Sequence, residues 1–172
     1  QDRVAQAYNF PVFMDFDQSH FNANPHGKYE KLKRPIKNVY IAYSDTLAEG
    51  SAVTHSNLRE RFEAGETKLL EAVETWKALT KDFNAALEKD DFEKMNECIN
   101  ANFDLRNELV DLDPNQVRLV QLARKSGASA KFCGSGGAII GLYKDQKMLS
   151  KLKKDLKSKG VNILLPEIVY SP

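Results

Sequence analysis

Lys131-Phe132-Cys133-Gly134-Ser135-Gly136-Gly137-Ala138-Ile139-Ile140 is the segment whose residue types point most directly to chemistry. Three glycines and a serine stand between short apolar flanks. Such a backbone can approach a ligand closely and turn several N–H groups the same way, which suits anions and phosphates above all. The same composition also makes a tight hairpin with a glycine-rich bulge, and composition weighs at least equally for that. No Gly-Lys-Ser/Thr follows, so the segment is not a Walker loop, nor does it match the dinucleotide fingerprint.

Asp2 stands beside Arg3 at the edge of a helical pattern. An acid next to a base can be a catalytic carboxylate with a tuned pKa; on spacing alone, an exposed helix-start acid is the commoner outcome. Asn102 and Arg106 lie four apart and therefore share a helix face. The Arg106 guanidinium could fork onto a carboxylate or a phosphate, although pairing with Asp104 or Glu108 is the usual fate of such an arginine. Cys98 and Cys133 form no C-x-x-C pair, and His20, His26 and His55 lack metal-ligand spacing. No metal site is expected from them, and a reduced, cytoplasmic protein is the default.

The elements that must position these residues can be read from hydropathic period. Val12 to Phe16, Tyr29 to Lys33 and Asn38 to Tyr43 read as strands, and 17–27 reads as a loop dense in Asn, Ser, His, Pro and Gly. From 54 to 125 the period is helical. Leu69, Val73, Trp76, Phe83 and Leu87 form one stripe, and Phe92, Met95, Ile99 and Phe103 form another. Asp90 and Glu93 are spaced as a capping box. Asp113-Pro114 opens a further helix that Gly127 closes. Strands are expected at 128–133 and 138–143. An amphipathic helix follows over 145–159, with Leu149, Leu152 and Leu156 inward, and a last strand over 161–169 carries Pro166 as an edge signal. Strands, then helices, then strand–turn–strand–helix–strand give an α+β fold with helices on one face of a mostly antiparallel sheet.

Composition bounds the rest. The 172 residues are 42% hydrophobic and 28% charged, an ordinary globular balance, and a chain of this size buries roughly 70% of its unfolded surface. Lys and Arg number 25 against 24 Asp and Glu. That near-cancellation removes the basic excess a nucleic-acid binder needs. Apolar runs such as 138–140 and 161–165 are too short to span a bilayer, so no membrane partner is expected. The seven lysines between Lys144 and Lys159 read as the solvated face of a packed helix.

Taken in order, Gln1-Asp2-Arg3-Val4-Ala5-Gln6-Ala7-Tyr8, Met14-Asp15-Phe16, Asn102-Phe103-Asp104-Leu105-Arg106 and the 131–138 segment resemble the second half of a GHMP-superfamily small-molecule kinase, in its plant-type glucuronokinase branch. The resemblance runs from the first residue to about 169. It implies ATP- and Mg-dependent phosphorylation of a sugar or sugar acid, in that branch at the anomeric hydroxyl of glucuronic acid. Asp2 falls on the catalytic aspartate, and Gly134, Ser135, Gly136 and Gly137 on the glycine motif near the phosphates. Asn102, Arg106 and Lys131 fall on the substrate side. Asn9-Phe10-Pro11 departs from the family's Gly-Gly after the tyrosine, and Cys133 replaces the usual threonine, which leaves room for a different sugar.

In relatives the ATP-binding loop lies upstream of the position of Gln1. The resemblance therefore implies a C-terminal fragment, inactive alone, with 1–35 the tail of a first domain and 36–172 a GHMP C-terminal domain, ferredoxin-like. A bare tail of that kind would expose Val4, Tyr8, Val12, Phe13 and Phe16, so either a homodimer through 1–16 or a fold-back of that segment onto the second domain is expected. A non-catalytic module with the same fold is the alternative.

Overall fold

The computed structural model describes residues 2–8, 10–44 and 58–168. Expectations placed on Gln1, Asn9, His55 and Val169 lie outside the described residues. The chain divides into two compact units, Gln1–Ile36 with Ile168–Pro172, and Lys37–Glu167.

In the first unit, α1 (Asp2–Tyr8) precedes β1 (Val12–Asp15), α2 (Gln18–Ala23) and β2 (Lys28–Lys31). β1 and β2 pair antiparallel, with Val12 opposite Lys31 and Asp15 opposite Lys28. The loop expected over 17–27 is in part helical. The Asp17 carboxylate accepts the His20 backbone N–H at 2.9 Å and the Ser19 hydroxyl as well. The polar residues that read as a loop are those of an N-cap. The Tyr29 ring meets Tyr8 and Phe16 edge-on, at 6.3 and 6.0 Å between centroids.

The second unit opens with β3 (Val39–Tyr43) and continues through α3 (Leu58–Glu63), α4 (Thr67–Lys89), α5 (Phe92–Leu109) and α6 (Pro114–Arg124). Then come β4 (Lys131–Phe132), β5 (Ala138–Leu142), α7 (Gln146–Lys157) and β6 (Asn162–Leu164). The sheet order is β4-β5-β3-β6, every pair antiparallel. Strand, helices, two strands, helix and strand in that spatial order make the expected α+β, ferredoxin-like layer.

Register sets which side chains enter the core. Tyr40 lies opposite Gly141 and Ala42 opposite Ile139, and the period of two sends them to one face. There they join Phe103 of α5, Val120 and Ala123 of α6, and Leu149, Leu152 and Leu156 of α7 in one cluster. Gly141 is required: a Cβ there would collide with the Ser129 carbonyl, which already accepts the Tyr40 hydroxyl at 2.7 Å. α4 adds a smaller cluster with α5 through Leu69, Ala72 and Leu109.

Some boundaries differ from those expected. The cap of α5 is Asp91, whose carboxylate accepts the Lys94 N–H at 3.1 Å. Asp90 instead ends α4 in a left-handed turn, φ 57°. The strand expected at 128–133 shrinks to Lys131–Phe132. Just upstream, side chains take both backbone groups of Ala130: Asn100 Oδ1 accepts its N–H at 3.0 Å, and Arg124 donates to its carbonyl at 3.1 Å. The last strand is only three residues, Asn162–Leu164, and lies at the sheet edge.

Candidate functional site

The glycine segment is the connection of the β4–β5 hairpin, so the bland geometric reading holds for its flanks. Cys133 N–H donates to the Ala138 carbonyl at 3.0 Å, which closes the neck and leaves residues 134–137 projecting. What surrounds that loop exceeds the needs of a turn.

Arg106 reaches it from α5. One terminal nitrogen donates to the Gly134 carbonyl at 2.7 Å and the other to the Ser135 carbonyl at 3.4 Å. The expected pairing of Arg106 with Asp104 or Glu108 does not form; Asp104 accepts from Arg124 at 2.6 Å. Aromatic rings explain the exchange. The Arg106 guanidinium lies 5.4 Å from the Phe132 ring centroid, Phe132 meets Phe103 at 5.1 Å, and Arg124 lies 5.2 Å from Phe103. A cation–ring–ring–cation ladder therefore runs beneath the loop, each guanidinium held by a ring face. Among the described residues Arg106 has no carboxylate partner, and its Nε is buried without a hydrogen bond.

From α6, Gln116 supports the other end. Its side-chain oxygen accepts the Gly137 N–H at 3.3 Å, and the residue is only 5% exposed. A Cβ on Gly136 would run into that oxygen, and Gly136 has φ 148°, where L side chains are strained. Asp113 positions Gln116 by capping α6 through the Asn115 and Gln116 amides, at 2.7 and 3.3 Å. Nothing in the residue pattern singled out Gln116; a helix-start glutamine carries no signal of its own.

Lys131 is half-buried at the loop's entry, its ammonium donating to the Phe132 carbonyl at 3.3 Å. Burial pushes its pKa below the usual lysine value, and the Arg106 charge adds to that. Asn102 lies one turn before Arg106 on α5, its carbonyl accepting the Trp76 indole N–H at 3.1 Å. Among the described residues, no hydrogen bond brings the Asn102 side chain to the loop. Asp2 is the first residue of α1, in the other unit. Among the described residues there is no group of three His, Cys, Asp or Glu that could hold a metal ion, and no helix long and apolar enough to cross a membrane. A cleft of about 640 Å³ bordered by Arg118, Lys125 and Lys159 shares no residue with the loop.

Residues 83–162 match the family described as GHMP kinases C terminal. Glucuronokinase 1 of Arabidopsis thaliana is 32% identical over 144 residues, 81% of this chain and 40% of its own length. Probable glucuronokinase 2 of the same plant is 33% identical over 145 residues, 81% of this chain and 39% of its own. The chain thus spans about two fifths of the curated relatives it matches. Among solved structures, L. major mevalonate kinase in complex with R-mevalonate superposes with a TM-score of 0.70 at 17% identity, over 85% of this chain and 48% of that one. A Listeria innocua protein gives 0.62 at 18%, over 96% and 48%. These two likenesses bear on the fold alone.

Proposed function

We propose, on the match of residues 83–162 to the GHMP kinases C-terminal family, that the protein is an ATP-dependent sugar kinase acting on the anomeric hydroxyl of a sugar acid of the glucuronic acid class. The observation that carries this reading is the braced loop. A glycine turn held by an uncompensated arginine on one side and a buried glutamine on the other is built to keep backbone N–H groups in place for an anion. The likeness to two glucuronokinases over 81% of the chain supports a uronic acid as acceptor.

In this reading the loop 134–137 lies at the transferring phosphates. Lys131 and Asn102 serve the sugar side, and the half-buried Lys131 ammonium is a fitting counter-charge for a uronate carboxylate. Arg106 acts on the loop. Asp2 orients the acceptor hydroxyl and takes its proton. ATP supplies the phosphoryl group when bound, with a magnesium ion held mainly by phosphate oxygens and water, as that ion usually is. Turnover belongs to the full-length protein, of whose relatives this chain spans two fifths, in the cytoplasm.

The test is Asp2→Asn in the full-length protein. It keeps the side chain's size and removes its basicity, so kcat should fall by about 10²–10⁴-fold with KM for the sugar nearly unchanged. Wild-type kcat in that variant would remove Asp2 from the mechanism.

A further inference from the structure

The geometry of the loop carries a statement about Arg106 that goes beyond its proximity. In a trans peptide the C=O and the following N–H point in opposite directions, and the described residues contain no cis bond. The Gly134 carbonyl faces the Arg106 guanidinium at 2.7 Å, so the Ser135 N–H points away from α5. The Ser135 carbonyl faces it at 3.4 Å, so the Gly136 N–H points away as well. Neither amide donates to any described residue. The next amide, that of Gly137, is turned inward to Gln116. Two consecutive N–H groups therefore share a direction, with a positive charge behind the peptide units that carry them.

We propose that Arg106 is a positioning residue that holds the Gly134 and Ser135 carbonyls, so that the Ser135 and Gly136 amides form a paired donor site for phosphate oxygens. The naming of phosphate rests on the kinase reading; the donor pair itself does not. Arg106 does not touch the ligand in this arrangement. Its charge polarises the two peptide groups and fixes their orientation. Without it, glycines on both sides of Ser135 would let those peptides rotate freely. Gln116 keeps the turn from sliding by holding its far end.

The chain itself, ¹⁵N-labelled and titrated with inorganic tripolyphosphate, tests this by amide chemical shifts. The largest shifts should fall on Ser135 and Gly136. Arg106→Met should weaken binding by about tenfold or more, and Arg106→Lys, which can hold one carbonyl, should lie between. Shifts absent, or confined to 146–157 on the lysine-rich helix, would overturn the proposal. So would Arg106→Met binding as tightly as the unaltered chain. Should Arg106→Met not fold, the wild-type map and Arg106→Lys still decide. A loop that binds tripolyphosphate in a protein whose full-length form turns over no sugar would leave this inference standing and remove the kinase reading alone.

Discussion

Lys131 pays for its place at the loop with a half-buried charge: desolvation and the Arg106 field both disfavour its protonated form. The sign of the consequence is fixed. Because the folded-state pKa lies below the unfolded value of 10.5, the unfolded chain binds more protons in the interval between them. Stability therefore rises with pH through that interval and levels off above it. Lys131→Met should raise the melting temperature at neutral pH and flatten the alkaline rise; a lower melting temperature would show that Lys131 is paired in the folded chain. Of the residues at the loop, the glycines, the serine and Lys131 were legible in the sequence, because a run of small residues between apolar flanks is a local pattern. Arg106 was legible as a candidate on its helix face, but its contact with the loop was not, and Gln116 was not legible at all. Arg106 meets Gly134 across 28 positions, and Gln116 meets Gly137 across 21. Neither contact has a period or motif, and the nearby acid that would ordinarily claim Arg106 is occupied by Arg124.

At the scale of elements, α7 is the clearest case of pattern becoming structure. Asp145 caps it by accepting the Met148 N–H at 2.8 Å, and Leu149, Leu152 and Leu156 are 4%, 0% and 0% exposed. Lysines 147, 151, 153, 154 and 157 face outward on the same helix. Leu152→Ala should cost about 2–5 kcal/mol in urea or thermal unfolding, whereas Lys153→Glu should change stability by no more than about 0.5 kcal/mol. Similar losses at the two positions would mean the helix is rotated from its assigned face. Long amphipathic helices of this kind, and the strand at Val39–Tyr43, follow from period alone. The short elements do not. α2 forms where polar residues suggested a loop, because one aspartate caps it through the His20 amide. The strand at 128–133 is cut to two residues, because the backbone groups of Ala130 go to side chains, its N–H to Asn100 thirty positions upstream and its carbonyl to Arg124 at the end of α6. Long-range side-chain pairing is invisible to any window of local sequence.

For the whole molecule, the second unit has its own core spanning the sheet and the helices that cover it. The order of elements was enough to anticipate that architecture, since helices between antiparallel strands leave few ways to bury one sheet face. Function is a property of the site rather than of the fold, and mevalonate kinase shares this fold at 17% identity. On the proposed function, the full-length protein transfers a phosphoryl group from ATP to a uronic acid. The most direct measurement incubates it with ATP, magnesium and, in turn, glucuronic acid, glucose and galactose, following ADP release and the ³¹P spectrum of the product. ADP release with glucuronic acid should stand well above that with either neutral sugar, and the product should show a phosphorus resonance coupled to the anomeric proton. ATP left intact with every sugar, or phosphate found on a hydroxyl other than the anomeric one, would contradict it.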